Sequence, residues 1–432
     1  MATHSTHSIQ RSGDLPASLA RLVESQDWAG LIRALDGGAP ANLVSLGDVP
    51  LLEHVLVTLE MKNRHPGSVS VAAAPLDLLE AFVRNGLDRE GLYEGRATTV
   101  SLVLNYGQWA WGEHLLDLGF PAESPGASVF LSLIDGRLQR AVAASPTLGV
   151  ENGDPLPPDP LLNDELEPNV VQLGGSPAQK EEAVWGLQDE TPDEQAHIHT
   201  LLRRLVKAGA DLERTDTIAP QPHPLTPLFL AISHLDVTLI EGLIKAGANT
   251  TAMPPGWNLR PMDFAVQRGS VAVVHTLVAS GVPLEGNPAL PQEFRDYAHP
   301  LVLAAHLGRS TLVDPLIAGL SPSDLAYYGT MAMHKAAASN QVGSMKALRL
   351  HNIPYNAQST AGTVPLHQAA KLGAEDAIAF LLRRGQPWDR PVNQRGASPG
   401  DVLREFHPEL AGRFGLSLPD NVKPLFGRRP RP

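Results

Sequence analysis

A chain of 432 residues can hold two or three ordinary domains or one elongated repeat array. It is 43% hydrophobic and 19% charged but only 5% aromatic, so its Leu, Ala and Val favour helices over a β-sandwich. The net charge of −12 speaks against a general nucleic-acid binder, and the lack of cysteine excludes disulfides, thiolate zinc sites and cysteine nucleophiles.

The start, MATHSTHSIQRSGDLPASLARL, has no apolar secretory core, and no apolar run reaches the roughly 20 residues of a membrane span. A cytoplasmic protein is expected, with export that needs no N-terminal signal left open. The 38 Pro and 38 Gly imply many short elements. The first helix end is ALDGGAP, near Gly38. VRNGLD at Gly86 and LDLGFP at Gly119 follow, 33 residues apart. Leu79, Phe82 and Val83 form one apolar face ahead of Gly86, and Leu115 with Leu116 part of the next. Trp109 and Trp111 stand two apart on a helix, so at most one faces the core. SVFLSLIDG, Ser128 to Gly136, reads as a degenerate first helix. The pattern then stops. Residues 146–175 are rich in proline and acidic, with Glu151, Asp154, Asp159, Asp164, Glu165 and Glu167. Prolines interrupt every stretch that might hold calcium, so a solvated loop is expected, with a docking strip for a basic partner as the functional alternative.

From residue 176 the pattern resumes more regularly. Second apolar segments end at Gly209, Gly247, Gly281, Gly319, Asn352 and Gly385, with spacings of 38, 34, 38, 33 and 33. First segments begin at Pro227, Pro261, Pro300, Ala332 and Pro365. Proline suits a first helical turn, and a terminal Gly or Asn accepts the left-handed conformation that ends a helix. In the second segments Ile378, Leu381 and Leu382 lie at i, i+3 and i+4, as do Val274, Leu277 and Val278, and Ile240, Leu243 and Ile244. The first segments carry paired small residues, such as Ala369 with Ala370 and Ala336 with Ala337. GASPGDVL, Gly396 to Leu403, opens one more unit, and REFHPELAGRF closes it as a polar cap.

A period near 33, a Pro-Leu start and a Gly-ended second helix resemble the ankyrin repeat. The resemblance implies an all-α fold, an α-solenoid of stacked helix-turn-helix ankyrin-type repeats with about ten helical pairs. The expected division is degenerate repeats over 1–145, an insertion over 146–175, repeats over 176–390, a capping repeat over 391–415 and a basic tail over 416–432. In that family the Thr-Pro-Leu-His turn uses its threonine and histidine in hydrogen bonds that fix the turn and join repeats, so His367 and His334 are expected to be architectural. This chain departs from the pattern: Val364 fills the threonine slot before Pro365, and Thr226 keeps the threonine where Phe229 replaces the histidine.

Other chemistry is sparse. His197 and His199 are spaced i and i+2, which does not put them on one helix face, so packing or solvated roles are expected rather than a metal site. None of the G-x-S-x-G, H-E-x-x-H, G-x-x-x-x-G-K-[ST] or G-x-G-x-x-G motifs occurs. The expectation is a binding protein and not an enzyme, without cofactor or metal. Its partner would be another protein, a basic one by charge, with no nucleic acid and no membrane. By resemblance the partner would meet the concave, finger-bearing side. The fingers Leu212 to Leu225 and Leu284 to Pro300 are enlarged, and NTTAMPPGWNLRP lies between them. Aromatic and arginine anchors there and nearby are Trp257, Arg260, Phe294, Arg295, Tyr297, Tyr355, Trp388 and Arg390. The plainer account is that about half of them fold under their own loops. The cysteine-free, Ala-, Leu-, Gly- and Pro-rich composition resembles bacterial usage. The roles that follow are an antitoxin-like immunity protein, a secreted effector or a secretion-system adaptor, with an enzyme site in the N-terminal half as the remaining alternative.

Overall fold

The computed structural model describes residues 17–42, 50–63, 74–89, 97–123, 128–144, 190–215, 225–254, 259–286, 298–390 and 393–416. Among them are twenty α-helices, one 3-10 turn and no strand. The described residues fall into two compact units, the first taking those up to Asn249 together with Pro254, the second Thr250–Met253 and those after Trp257. The insertion and the fingers' longest parts lie outside the described residues.

The first unit holds α1 (Ala17–Glu24), α2 (Trp28–Asp36), α3 (Leu51–Asn63), α4 (Leu76–Arg84), α5 (Thr99–Asn105), α6 (Trp109–Asp117), α7 (Val129–Ala144), α8 (Pro192–Lys207), α9 (Pro227–Ser233) and α10 (Val237–Ala246). Odd-numbered helices are first helices: α5 packs on α7 and α7 on α9. Even-numbered ones are second helices: α2 packs on α4, α4 on α6, α6 on α8 and α8 on α10. Thus α7 and α8 are the two helices of one pair, and residues 145–189 connect them within the repeat. The first helix expected at Ser128 to Gly136 is there and runs on to Ala144.

The second unit holds α11 (Pro261–Arg268), α12 (Val271–Ala279), α13 (Pro300–His306), a 3-10 turn (Ser310–Leu312) leading into α14 (Val313–Ala318), α15 (Pro322–Ala338), α16 (Val342–Leu350), α17 (Pro365–Leu372), α18 (Glu375–Arg383), α19 (Pro399–Phe406) and α20 (Pro408–Arg413). Here α11, α13, α15, α17 and α19 stack as first helices, with α12, α14, α16 and α18 behind them. The described residues therefore form ten helical pairs, and the fold is the all-α solenoid that the resemblance implies.

Each helix is short because its caps are close together. In α10, Asp236 accepts from the Leu239 N–H at 3.0 Å at the start, and Gly247 closes the end at φ 106°. The equivalent position after α16 is Asn352 at φ 65°. Gly319 departs from the expectation: its φ is −90°, because the chain passes at once into Ser321, the N-cap of α15. α15 itself is the main surprise. It begins ten residues ahead of Ala332, so the finger of this unit is helical, started by Ser321 and Pro322. Ser-Pro-Ser-Asp is a capping-box spacing, and Ser321 indeed accepts from the Asp324 N–H at 3.2 Å.

Packing follows the apolar spacing. Ile378 and Leu381, Val274 and Leu277, and Ile240 and Leu243 are fully buried, as are Ala336, Ala337, Ala369 and Ala370. The third slot, Leu382, Val278 and Ile244, is only half-buried at the edge of the stripe. Trp111 is the buried member of its pair, its indole N–H donating to the Ala74 carbonyl at 3.2 Å. Trp109 is half-buried.

Backbones approach most closely at Gly136 on α7, where a Cβ would lie 2.0 Å from the Asn105 carbonyl oxygen. Gly136→Ala must push α5 and α7 apart, and we expect a loss of about 2 kcal/mol or more. Gly38→Ala, at φ 103° in open space, should cost about 1 kcal/mol through backbone strain alone. Urea unfolding of the two variants checks the order; equal losses would contradict the close approach.

Candidate functional site

The structure resolves what the Pro-Leu-His turn does. Nδ1 of His367 accepts from the Val364 N–H at 3.1 Å, and Nε2 lies 3.1 Å from the Ala397 carbonyl in the next finger. With Nδ1 accepting, Nε2 carries the proton and donates. His334 makes the same outward bond, Nε2 to the Ala357 carbonyl, at 2.8 Å. Both rings are architectural.

Other units build the same latch from different residues. In Arg-Pro-Met-Asp, Arg260 holds the threonine slot and Asp263 the histidine slot. Asp263 Oδ2 accepts from the Arg260 N–H at 3.2 Å, as His367 does from Val364. The Arg260 side chain is paired to Asp263 through Nε and Nη2, each at 2.9 Å, and Nη1 donates to the Glu285 carbonyl at 2.6 Å. Arg260 is 4% exposed. It was expected as an exposed anchor; it is instead consumed in joining its unit to the following finger. In the last unit Ser398 and Asp401 form a reciprocal capping box. In the first unit, finger-to-finger bonds do similar work: Glu123 accepts from the Asp211 N–H at 3.3 Å and Glu213 from the Asn249 N–H at 2.7 Å.

Of the other expected anchors, Trp257, Phe294, Arg295 and Tyr297 lie outside the described residues. Tyr355 is half-buried, edge-on to Phe380 with ring centroids 5.2 Å apart. Trp388 is half-buried against Phe414 at 5.9 Å. Arg390 is exposed beside Asp389. These residues are not brought into one cluster by any contact among the described residues.

The structure adds surface that residue type and spacing alone do not reveal. The helical finger at the start of α15 carries Tyr327, 49% exposed, edge-on to Tyr328 at 5.0 Å. Tyr328 stacks on His299 at 3.7 Å. The signal was the Ser-Pro-Ser-Asp start followed by Leu-Ala-Tyr-Tyr, a helix start with no turn residues after it.

The first unit has an electrostatic centre instead. Arg137 on α7 is 1% exposed; its Nε and Nη2 donate to Asp236 at 2.8 and 3.2 Å, and Nη1 lies 2.7 Å from Glu190 Oε1. Burial alone would lower the guanidinium pKa, but the carboxylates of Asp236 and Glu190 more than reverse this, so Arg137 is held charged. Asp236 is also the N-cap of α10, and Glu190 stands just ahead of Thr191, the N-cap of α8. One arginine thus ties together both sides of the residue 145–189 connection. Nearby, the His197 ring lies 5.9 Å from that of Trp109, and its Nε2 is 3.7 Å from Glu113. His199 instead points its Nε2 at the Thr238 carbonyl, 3.1 Å away. The two histidines diverge, and no group of three His, Asp or Glu among the described residues is placed to hold a metal.

Charge is unevenly shared. Residues 1–256 contain 16 Lys and Arg against 33 Asp and Glu, while residues 257–432 contain 18 against 13. None of the described helices is long and apolar enough to cross a membrane.

No family model matches the chain. It is similar to an Arabidopsis thaliana protein described as E3 ubiquitin-protein ligase KEG, 26% identical over 192 residues. That match takes in 43% of this chain but 12% of the relative's length. Among solved structures it is similar to the human ASB11 ankyrin repeat domain, at 20% identity and a TM-score of 0.37, covering 53% of this chain and all of that one. It is also similar to the ankyrin repeat domain of Bcl-3, at 21% identity and a TM-score of 0.37, covering 56% of this chain and 99% of that one.

The buried charge and the buried rings can each be tested. Arg137→Leu leaves two carboxylates buried without their cation, and should cost about 3–5 kcal/mol in urea unfolding. Arg413→Leu, which removes a largely exposed pair with Glu375, should stay within about 1 kcal/mol. Similar losses would show that the Arg137 site is solvated.

Burial lowers the pKa of His334, His367 and His306, and together with Arg260 it pushes His299 down to about 3. Asp324 opposes the shift at His299, Lys335 adds to that at His306, and Asp401 opposes that at His367. The folded rings stay neutral while the unfolded chain takes up protons below about pH 6.5. Their contribution is therefore complete above about pH 6.5 and falls as the pH drops. Between pH 7 and pH 5, His299 alone should lose about 2 kcal/mol. His299→Asn, which keeps an N-cap acceptor, should flatten the pH dependence of the urea midpoint; an unchanged slope would refute this.

Proposed function

We propose that this chain works as a protein-binding scaffold whose finger-bearing face holds a basic partner, in the manner of an immunity protein that blocks a toxin within the same cell. The observation that carries this is the acidic surplus in the sequence of the first 256 residues, 33 carboxylates against 16 cations, in a chain whose described residues form helical pairs. Such a charge excess steers a basic protein into encounter, and a preorganised stack of helices loses little entropy on binding. Supporting it, most apolar side chains of the helices are spent on packing, so that the fingers and helix ends are left to meet a partner. The aromatic contacts we assign to the finger-bearing face, Tyr327 on the helical finger with the sequence anchors Trp257 and Tyr297, lie in residues 257–432, and the acidic surplus of the first 256 residues supplies attraction rather than these contacts.

A tagged chain should retain a basic protein from its native cell, with affinity that falls steeply as salt rises. Trp257→Ala with Tyr297→Ala should weaken the purified complex at least tenfold while leaving the unfolding midpoint unchanged. An acidic partner would overturn the electrostatic part of this reading, and unchanged affinity the assignment of the face. An effector or adaptor role predicts instead that the partner belongs to a host or to a secretion machine.

A further inference from the structure

The second unit carries a surface of opposite character. Three side chains converge on the ring of Phe380 on α18. The Lys346 Nζ lies 5.7 Å from its centroid, the Arg384 guanidinium carbon 5.2 Å, and the Tyr355 ring meets it edge-on at 5.2 Å. Phe380 itself is 7% exposed, so it is the floor of this cluster, and the exposed cations stand over it. Arg349 and Leu350 follow Lys346 by three and four residues on α16, which puts them on the same helix face. Leu350 is 80% exposed, whereas Leu348 two residues earlier is buried.

The usual reason for cations at this position is the helix C-terminus, whose partial negative charge favours Arg349, Arg383 and Arg384. That account leaves out Lys346, which lies in the middle of α16. It also leaves out the geometry, since two like charges sharing one ring repel each other. Two other basic residues of the unit have carboxylates, Arg413 with Glu375 and the half-buried Arg404 with Asp401. Lys346, Arg349 and Arg384 form no ion pair with any described residue. Aromatic platforms that hold cations in place lower the entropy cost of using them, and charge-assisted bonds to carboxylates are the strong kind.

We infer that this surface docks an acidic protein segment, its carboxylates meeting Lys346, Arg349 and Arg384 and one apolar side chain resting beside Leu350 and Tyr355. Charge complementarity selects the acidic occupant, and the exposed Leu350 beside the cations selects a peptide over a phosphate backbone. A nucleic acid would also have to approach a chain of net charge −12. This surface uses residues other than the contacts assigned above, and its acidic occupant stands whether or not that reading holds.

The test is fluorescence anisotropy of the full chain with a labelled twelve-residue peptide of Asp and Glu around a central Leu. A peptide with Lys and Arg in place of the acids, a single-stranded oligonucleotide and phosphatidylserine vesicles serve as comparisons. We expect saturable binding of the acidic peptide alone. Lys346→Glu with Arg384→Glu should weaken it at least tenfold, and Lys371→Glu, an exposed cation on another helix, less than twofold. If the charge reversal disturbs the fold by circular dichroism, Lys346→Gln with Arg384→Gln keeps much of the stem packing and should still weaken binding at least fivefold. Unchanged affinity in the folded double variant would overturn the site. Binding of the oligonucleotide or vesicles in preference to the peptide would overturn the class of partner.

Discussion

No helical pair in this protein can stand alone. Its helices are mostly six to ten residues long, below the length at which an isolated helix is stable in water. Second helices bury the stripe that faces their neighbours, while first helices such as α5, α9 and α11 bury nearly their whole length, so the apolar residues of one unit are half of a core completed by the next. That dependence explains the small residues of the first helices. Ala336, Ala337, Ala369 and Ala370 are fully buried because a larger side chain would hold the stack open. At the fingers, buried apolar residues such as Leu225 and Ile353 are accompanied by polar bonds between units.

The joining bonds show a constraint on geometry rather than on residue type. The site needs an acceptor for the N–H just ahead of the first helix and a donor that reaches the following finger. His367 supplies both from one ring, which requires the neutral tautomer with its proton on Nε2. Arg260 and Asp263 divide the two roles between them, the carboxylate accepting and the guanidinium that it grips donating onward. A neutral ring is disturbed by protonation, whereas the ion pair is not, so units built on histidine carry the acid sensitivity of the stack.

The repetitive part of this architecture was legible because period, proline and glycine act locally. Pro365, Gly385 and the Ile378, Leu381 spacing each mark their element without reference to anything distant, and the same holds at Leu79 and Gly86. What escaped was either non-local or outvoted by the expected pattern. The pairing of Arg137 with Asp236 spans 99 residues and has no periodic signature. Arg260 reads as an interface anchor from its residue type, and only the Asp263 three positions on hints that it is spoken for. α15 was hidden because Gly319 and the Ala336-Ala337 pair fit the repeat frame, although Ser321, Pro322 and Asp324 mark a helix start between them.

Arg137 also bears on how a repeat tolerates a long connection. A stack can accept an insertion between two helices of one pair only if those helices are held together by something other than their short turn. The loss of that turn raises the entropy of closing the pair, though only slowly with length. Here α7 brings Arg137, the segment leading into α8 brings Glu190, and the next pair brings Asp236. The second carboxylate already serves as the N-cap of α10, so it is fixed before the arginine reaches it. Two of the three charges are thus positioned by neighbouring backbone, and the third returns with the chain. A buried ion pair is a weak source of net stability but a demanding one in geometry. Its contribution at this junction is to register: α8 can enter the stack only where Glu190 meets Arg137, and the connection is then free to differ in length and sequence without shifting the pairs on either side.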